Sequence, residues 1–449
     1  MHILPDTLRR HISKLPGNTR WVVALSGGLD SVALLHALAA LPDLNSIRAI
    51  HVHHGISDKA DDWAAFCETL CQKLGVALEV VLVNVNRSGG ESLEERAREA
   101  RYKAFEERLG DGECLLVGHH LDDQMETLLL RLMRGAGPRG MAAIPRTRPL
   151  GRGQVLRPLL DLGRAQIQEY GAAHQLEYIT DDSNQNTAFD RNYCRLTLLP
   201  LVESRWPGYR ESWSKTLTLS AEASALLDDL AQADLHSLLV SAKPDSGVSP
   251  RPEETGRVLA TGPLRRLSEP RQRNVLRYWL RTLGLPEPGW ELLRRLTREV
   301  LPAREDRAAS LILGKDELRR YRDRLYLLPR LRPLEPAYKA DWRPLQEPRL
   351  NLPQNGYLML ERGGPWRLPE AAVVTVRYRQ GGEYCKLAGR AGKPLKKVLQ
   401  EQAVAPWLRD RTPLLYAGSE LACIPGIGVC EGHQAADPEQ GVSVCWKAP

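Results

Sequence analysis

The chain has no apolar run approaching the roughly 20 residues that a membrane-spanning helix needs, which excludes a bundle of such helices. Its opening, MHILPDTLRRHISK, lacks the apolar core of a secretory signal, so the expected compartment is the cytoplasm, with no membrane partner. It has no C-x-x-C pair. Eight cysteines (67, 71, 114, 194, 385, 423, 430 and 445) are scattered, several in apolar helix or strand contexts, which points to reduced, buried thiols rather than to a metal site. Internal repeats are absent. What is present is ordinary for a globular protein, 43% hydrophobic and 26% charged over 449 residues, a length that fits about two to four domains. The bias is basic: a formal charge of +7 and a pI near 9.0 favour a polyanionic partner.

Residues 20–38 read RWVVALSGGLDSVALLHAL. The apolar run 21–25 is long enough for one buried strand and breaks at Ser26, Gly27 and Gly28. From Asp30 onward Val32, Ala33, Leu34, Leu35 and Leu38 are apolar on nearly every face, as in a helix packed on a parallel sheet. Adjacent glycines let a ligand approach the backbone, Ser26 and Ser31 add hydroxyls, and a helix N-terminus adds open N–H groups. A Gly-Gly turn can also simply join strand to helix. Here the turn carries Asp30, and an anionic side chain at an anion-binding terminus is tolerable mainly when a divalent cation bridges it to phosphate. The stretch is neither G-x-x-x-x-G-K-[ST] nor G-x-G-x-x-G, which disfavours Walker NTPases and dinucleotide binders. It resembles the S-G-G-x-D-S pyrophosphate loop of the N-type ATP pyrophosphatases, which split ATP between the α and β phosphates. That resemblance implies ATP and Mg²⁺, with Ser26, Gly27, Gly28, Leu29, Asp30 and Ser31 at the nucleotide.

Further strands are expected at 47–52, 77–83 and 115–117, alternating with helices, so the N-terminal part should be a doubly wound, mostly parallel α/β sheet. One of those helices follows residue 92 and sets Ala97, Ala100 and Ala104 on its apolar stripe, with Arg98 and Arg101 off it. Ligands bind beyond the carboxyl ends of such strands. SGGLDS, HVHHGIS (51–57), NRSGGE (86–91) and GHHLDD (118–123) each follow a predicted strand and should converge there. Asp122, Asp123 and Glu126 open a helix beside His119 and His120. One carboxylate there is an ordinary cap. Three exceed what capping needs and suit a cation, either a metal, with Asp123 joining Asp30, or an ammonium. Further on, DDSN (181–184) and RNYCR (191–195) are polar clusters, and Arg191 and Arg195, four apart, suit phosphate.

The domain boundaries expected are 1–211 for the α/β part, 212–329 for a helical module, 330–353 for a Pro/Arg-rich linker and 354–449 for a small α+β domain. In the last, Arg377, Arg379, Lys386, Arg390, Lys393, Lys396 and Lys397 gather among glycines, the best candidate for contact with a phosphate backbone outside the nucleotide loop.

The order SGGLDS, HVHHGIS, SLEERAREARY (92–102), GHHLDDQMETLLLRLMRGAGPRG, RPLLDLGR (157–164), DDSN, RNYCR, GRAGKPLKK and PWLRDRTPLL resembles the bacterial tRNA(Ile)-lysidine synthetase family over essentially the whole chain. His54 and Ile56 stand where that family often has Asn and Leu. The resemblance implies an ATP-dependent ligase that joins L-lysine to C2 of the wobble cytidine in CAU-anticodon tRNA(Ile), through an adenylated intermediate. It implies Asp30 as the Mg²⁺ ligand on pyrophosphate, Asp122, Asp123 and Glu126 at the lysine ammonium or a second metal contact, His119 or His120 at the reacting centre, Arg191 and Arg195 on phosphate, and the C-terminal patch on tRNA. A homodimer stays open. The alternatives are a tRNA thiolase of the same superfamily, disfavoured by the missing C-x-x-C, and a non-catalytic RNA-binding protein.

Overall fold

The computed structural model describes residues 3–42, 44, 46–55, 57–85, 93–181, 185–240, 256–303, 309–335, 337–369 and 371–448. NRSGGE and residues 182–184 of DDSN lie outside that set. The chain divides into two units, Met1–Leu226 and Leu227–Pro449, the change falling within the helix Tyr209–Leu238.

The first unit is built on six strands: β1 (Arg20–Ala24), β2 (Ile47–His53), β3 (Ala77–Leu82), β4 (Glu113–Leu116), β5 (Thr147–Leu150) and β6 (Gly153–Leu156). Their order is β3-β2-β1-β4-β6-β5, parallel throughout except that β5 runs antiparallel to β6. Helices α1 (Ile3–Ile12), α2 (Leu29–Ala39), α3 (Ala60–Leu74), α4 (Leu93–Arg108) and α5 (Leu121–Met133) connect and cover it. Side chains alternate along β1: Trp21 and Val23 enter a core with Leu8, Leu34 and Leu38, while Val22 enters a second core with Ala104 and Phe105. Both faces are therefore buried, at about 1.5–3 kcal/mol per side chain, and a one-residue slip would exchange them. β1 pairs with β2 on one side and β4 on the other, so the chain winds out through β3 and returns past β1. SGGLDS and GHHLDD consequently leave neighbouring strands at the switch point of the sheet, where such folds hold ligands. Sequence reading places one short strand near residue 156 and misses β5, because Arg148 and Pro149 look like loop; at a sheet edge a proline is tolerated.

The second unit corrects two expectations. The helical module also contains a four-stranded antiparallel sheet, Val258–Ala260, Arg324–Pro329, Asp316–Tyr321 and Ser310–Leu313 in spatial order. Its apolar positions, Leu311, Leu318, Leu325 and Leu327, pack with Val275, Leu276 and Trp279 of the helix Glu269–Thr282. In the strand Asp316–Tyr321 the charged start and the adjacent Arg319 and Arg320 hide the period of two. The stretch 330–353 is not simply a linker. Lys339–Trp342 pairs with Val374–Arg377 in a five-stranded sheet, Arg349–Asn351 pairs with Tyr357–Trp366, and Trp342 is 1% exposed. Proline marks turns between these strands rather than a free tether. Among the described residues no helix is long and apolar enough to cross a membrane.

Candidate active site

Where β1 ends, Gly27 turns the chain at φ +86° and its carbonyl accepts a 2.9 Å hydrogen bond from the N–H of Ile179. A Cβ at Gly27 would lie 2.4 Å from Cδ1 of Ile179 and push that side chain aside, and the positive φ itself favours glycine. Gly28 precedes α2 in extended conformation, and no side chain caps the leading amides of that helix. Those amides and the positive end of the helix are available to an anion. The Ser31 hydroxyl donates to the Gly28 carbonyl at 2.9 Å and accepts from the Ser26 N–H at 3.2 Å, with Ser26 Oγ 3.1 Å away. The turn is thus braced before any ligand arrives. Leu29, expected at the nucleotide, has its side chain in the core and offers only its amide.

Ser26, Gly28, Asp30 and Ser31 line a cavity of about 350 Å³ together with His53, His54, Arg98, Arg101, Tyr102, His119 and Asp123. Sequence reading leaves Arg98 and Arg101 off the apolar stripe of α4 without a role. Here they face the cavity, and the signal that could have found them is the three-residue spacing that sets two guanidiniums on one helical face. His120, by contrast, is 2% exposed and stands behind the wall. Its Nε2 lies 3.7 Å from Asp30 and 3.6 Å from Asp123. Oδ1 of Asp30 is buried with no hydrogen-bond partner. Burial raises the Asp30 carboxyl above its ordinary range, His120 opposing and Asp123 adding to the shift.

The carboxylates of α5 divide. Asp122 accepts from the Arg164 N–H at 2.8 Å and from Arg210 Nε at 2.9 Å, and is held below the ordinary carboxyl range against its burial. Asp123 accepts from the His120 N–H at 2.9 Å and from Arg191 Nη2 at 2.6 Å. Burial opposes its ionisation, yet His120, Arg191 and His119 bring the carboxyl down to about 2. Glu126 is fully buried and takes Arg191 Nε at 2.7 Å and Arg195 Nε at 2.6 Å. Arg191 and Arg195, expected on phosphate, are therefore held by protein carboxylates; the two-carboxylate anchor fixes where their remaining N–H groups point. Asp123 is the member of the trio that reaches the cavity.

The basic cluster of the second unit also divides. Arg379 pairs with Asp410 at 3.0 Å, Lys393 with Glu401 at 2.8 Å, and Lys386 with Glu431. Arg377 stacks 4.9 Å over the Tyr416 ring. Arg390, Lys396 and Lys397 are exposed and form no ion pair among the described residues.

Residues 4–202 match the family model described as PP-loop domain, residues 259–326 that of the TilS substrate binding domain and residues 374–446 that of the TilS substrate C-terminal domain. The chain is 40% identical to tRNA(Ile)-lysidine synthase of Pseudomonas syringae pv. tomato over 456 residues, covering 100% of this chain and 97% of the relative. It is 39% identical to the Salmonella typhi enzyme of the same name over 442 residues, covering 97% of this chain and 98% of that one. A solved U34-tRNA thiolase from Methanococcus maripaludis aligns at TM-score 0.41 and 18% identity, over 49% of this chain and 78% of its own.

Proposed function

The chain belongs to the tRNA(Ile)-lysidine synthase family, and from that membership we propose the reaction its crevice performs: ligation of L-lysine to C2 of the wobble cytidine of CAU-anticodon tRNA(Ile), driven by ATP. The observation that carries the reading is the convergence of the SGGLDS turn, Asp30 and Asp123 on one cavity at the switch point of the sheet. The cytidine O2 attacks the α-phosphorus and pyrophosphate leaves; the lysine ε-amine then attacks C2 and AMP leaves. An anticodon base is single-stranded and enters a pocket at little cost.

The amides of Gly28 and Leu29 and the hydroxyls of Ser26 and Ser31 bind the phosphates. Arg98 and Arg101 offset charge at the same cavity. Asp30 suits Mg²⁺: it lines the cavity beside the SGGLDS turn, and one of its carboxylate oxygens has no hydrogen-bond partner. Asp123 is the second candidate ligand. Two carboxylates at most would leave the other ligands of a Mg²⁺ to phosphate and water, as is usual for that ion. Asp30 and Asp123 would hold the ion, which when bound would offset the charge of the departing pyrophosphate. Asp123 also serves the lysine ammonium, whereas an ammonium reaching Glu126 would have to displace Arg191 or Arg195. Glu126 instead orients those two arginines. In the second unit, Arg390, Lys396 and Lys397 bind the tRNA backbone.

Cys67 and Cys71 are buried in α3, and burial pushes their thiols up to about 12 and about 11, far from the low values of sulfur-transferring thiolates. That disfavours a thiolase. The test is stoichiometry: one AMP and one pyrophosphate per labelled lysine incorporated into tRNA supports the ligase, and pyrophosphate release coupled to sulfur incorporation without lysine overturns it. The expected compartment is the cytoplasm, where ATP and tRNA are found together.

A further inference from the structure

Arg157 opens RPLLDLGR just beyond β6, and its side chain is enclosed at 2% exposure. The guanidinium donates in three directions: Nη1 to the Pro145 carbonyl at 2.7 Å, Nη2 to the Tyr102 hydroxyl at 3.2 Å, and Nε to Nδ1 of His119 at 3.1 Å. The Pro145 and Tyr102 bonds fix the plane of the group, so the direction of the Nε–H is not adjustable. His119 is the histidine of GHHLDD that lines the cavity.

A guanidinium has five donors, no acceptor, and keeps its proton throughout the working range. The ring nitrogen it meets must therefore accept. In a neutral imidazole with an accepting Nδ1, the proton sits on Nε2, the nitrogen on the edge away from Arg157. We infer that Arg157 is a positioning residue that locks His119 as the Nε2–H tautomer, so that His119 meets the substrate as a hydrogen-bond donor and not as a base. Burial, then the nearby cations Arg157, Arg191 and Arg98, hold the ring far below its ordinary range, to about 3, with Asp123 opposing. A ring so placed neither carries charge at neutral pH nor takes the proton that lysine sheds. It donates to an acceptor that gains negative charge, and the α-phosphate oxygens and the departing AMP are such acceptors.

The substrate end of this inference rests on the lysine-ligase reading; the tautomer does not. The test is accordingly in two parts. Nitrogen-detected NMR of the full chain labelled with ¹⁵N-histidine, without ligands, is expected to show His119 at neutral pH with Nε2 protonated and Nδ1 bare. Arg157→Met is expected to give a mixture of tautomers, and Arg157→Lys to keep the native one. A native His119 that is Nδ1-protonated or doubly protonated overturns the inference. Because Arg157→Met could unfold the chain, the second part leaves Arg157 intact. His119→Gln retains an N–H donor near Nε2 and is expected to keep lysine transfer within about 10-fold of the native rate, while His119→Ala loses about 10²–10³-fold. Equal loss in both variants, as for a base, overturns it. Absence of lysine transfer in the unaltered chain would overturn the proposed function while the tautomer signature still supports the Arg157 role.

Discussion

Oδ2 of Asp30 lies 3.7 Å from Nε2 of His120, too far for a hydrogen bond, while Oδ1 of the same carboxylate is buried without a partner. The group is costly to the fold, and its carboxyl is raised above the ordinary range mainly by burial. Such a group binds its proton more tightly in the folded than in the unfolded chain. Its contribution is thus favourable below the unfolded value and is lost as pH rises through the folded one. Asp30→Asn is expected to raise the Tm at pH 7 in buffer without ATP or Mg²⁺, a gain that disappears as pH falls below about 4. The same variant is expected to lose about 10²–10³-fold in pyrophosphate release while binding tRNA normally. Full activity would show that the cation site is elsewhere.

Asp123 carries the opposite sign. Its carboxyl is brought down to about 2, so its stabilisation is present above about pH 4 and is lost as pH falls toward 2. Asp123→Asn should cost on the order of 2 kcal/mol at pH 7 and converge with the parent chain in acid, measured by urea unfolding at several pH values.

Glu126 is fully buried between Arg191 and Arg195, and removing it leaves Arg191 with Asp123 alone and takes from Arg195 its 2.6 Å partner, Asp123 being 3.8 Å away. Glu126→Ala is expected to destabilise the chain by about 3–5 kcal/mol and to cut lysine transfer even at temperatures where the fold survives. A double-mutant cycle with Arg191→Ala should show strong coupling; additive losses would mean the arginines are not held through Glu126.

Gly27 cannot be replaced without moving Ile179. Gly27→Ala is expected to cost about 1–3 kcal/mol from backbone strain alone, and to weaken ATP binding. Adding Ile179→Ala removes the 2.4 Å clash but not the strained φ, so stability should recover only in part.

In the second unit, reversing the charge of Arg390, Lys396 and Lys397 together should lower the slope of log K for tRNA against log salt by about 2–3, provided each meets one phosphate. Replacing Lys393, already engaged by Glu401, should leave the slope nearly unchanged. A slope that responds equally to both sets would contradict this division.

The first sheet, β5 apart, was legible because its strands are short apolar runs cut by polar loops, and because the loops that carry chemistry follow strands. SGGLDS and GHHLDD therefore belong at one end of the sheet on their order in the chain alone. The pairing inside that crevice was not legible. Arg191 meets Glu126 across 65 positions of sequence, and Arg157 meets His119 across 38, distances over which no periodicity acts. Arg98 and Arg101 look like ordinary solvent-facing cations of an amphipathic helix, since a charge that lines a polar cavity obeys the same pattern as one that meets water. The seven basic residues near the C-terminus read as one patch because the partners of Arg379 and Lys386, Asp410 and Glu431, lie 31 and 45 positions on, and the reach of Lys393 to Glu401 across eight positions matches no helical spacing. The strands between 330 and 353 were hidden by proline and arginine, which mark turns and solvent faces as readily as linkers.

The most direct measurement is transfer of labelled lysine, with ATP, to tRNA transcripts that differ only at the wobble base. Incorporation into the CAU isoleucine transcript, absent when the wobble cytidine is replaced and lost with Asp30→Asn, is the expected result. No incorporation into the CAU isoleucine transcript, with ATP binding and fold intact, would contradict the account.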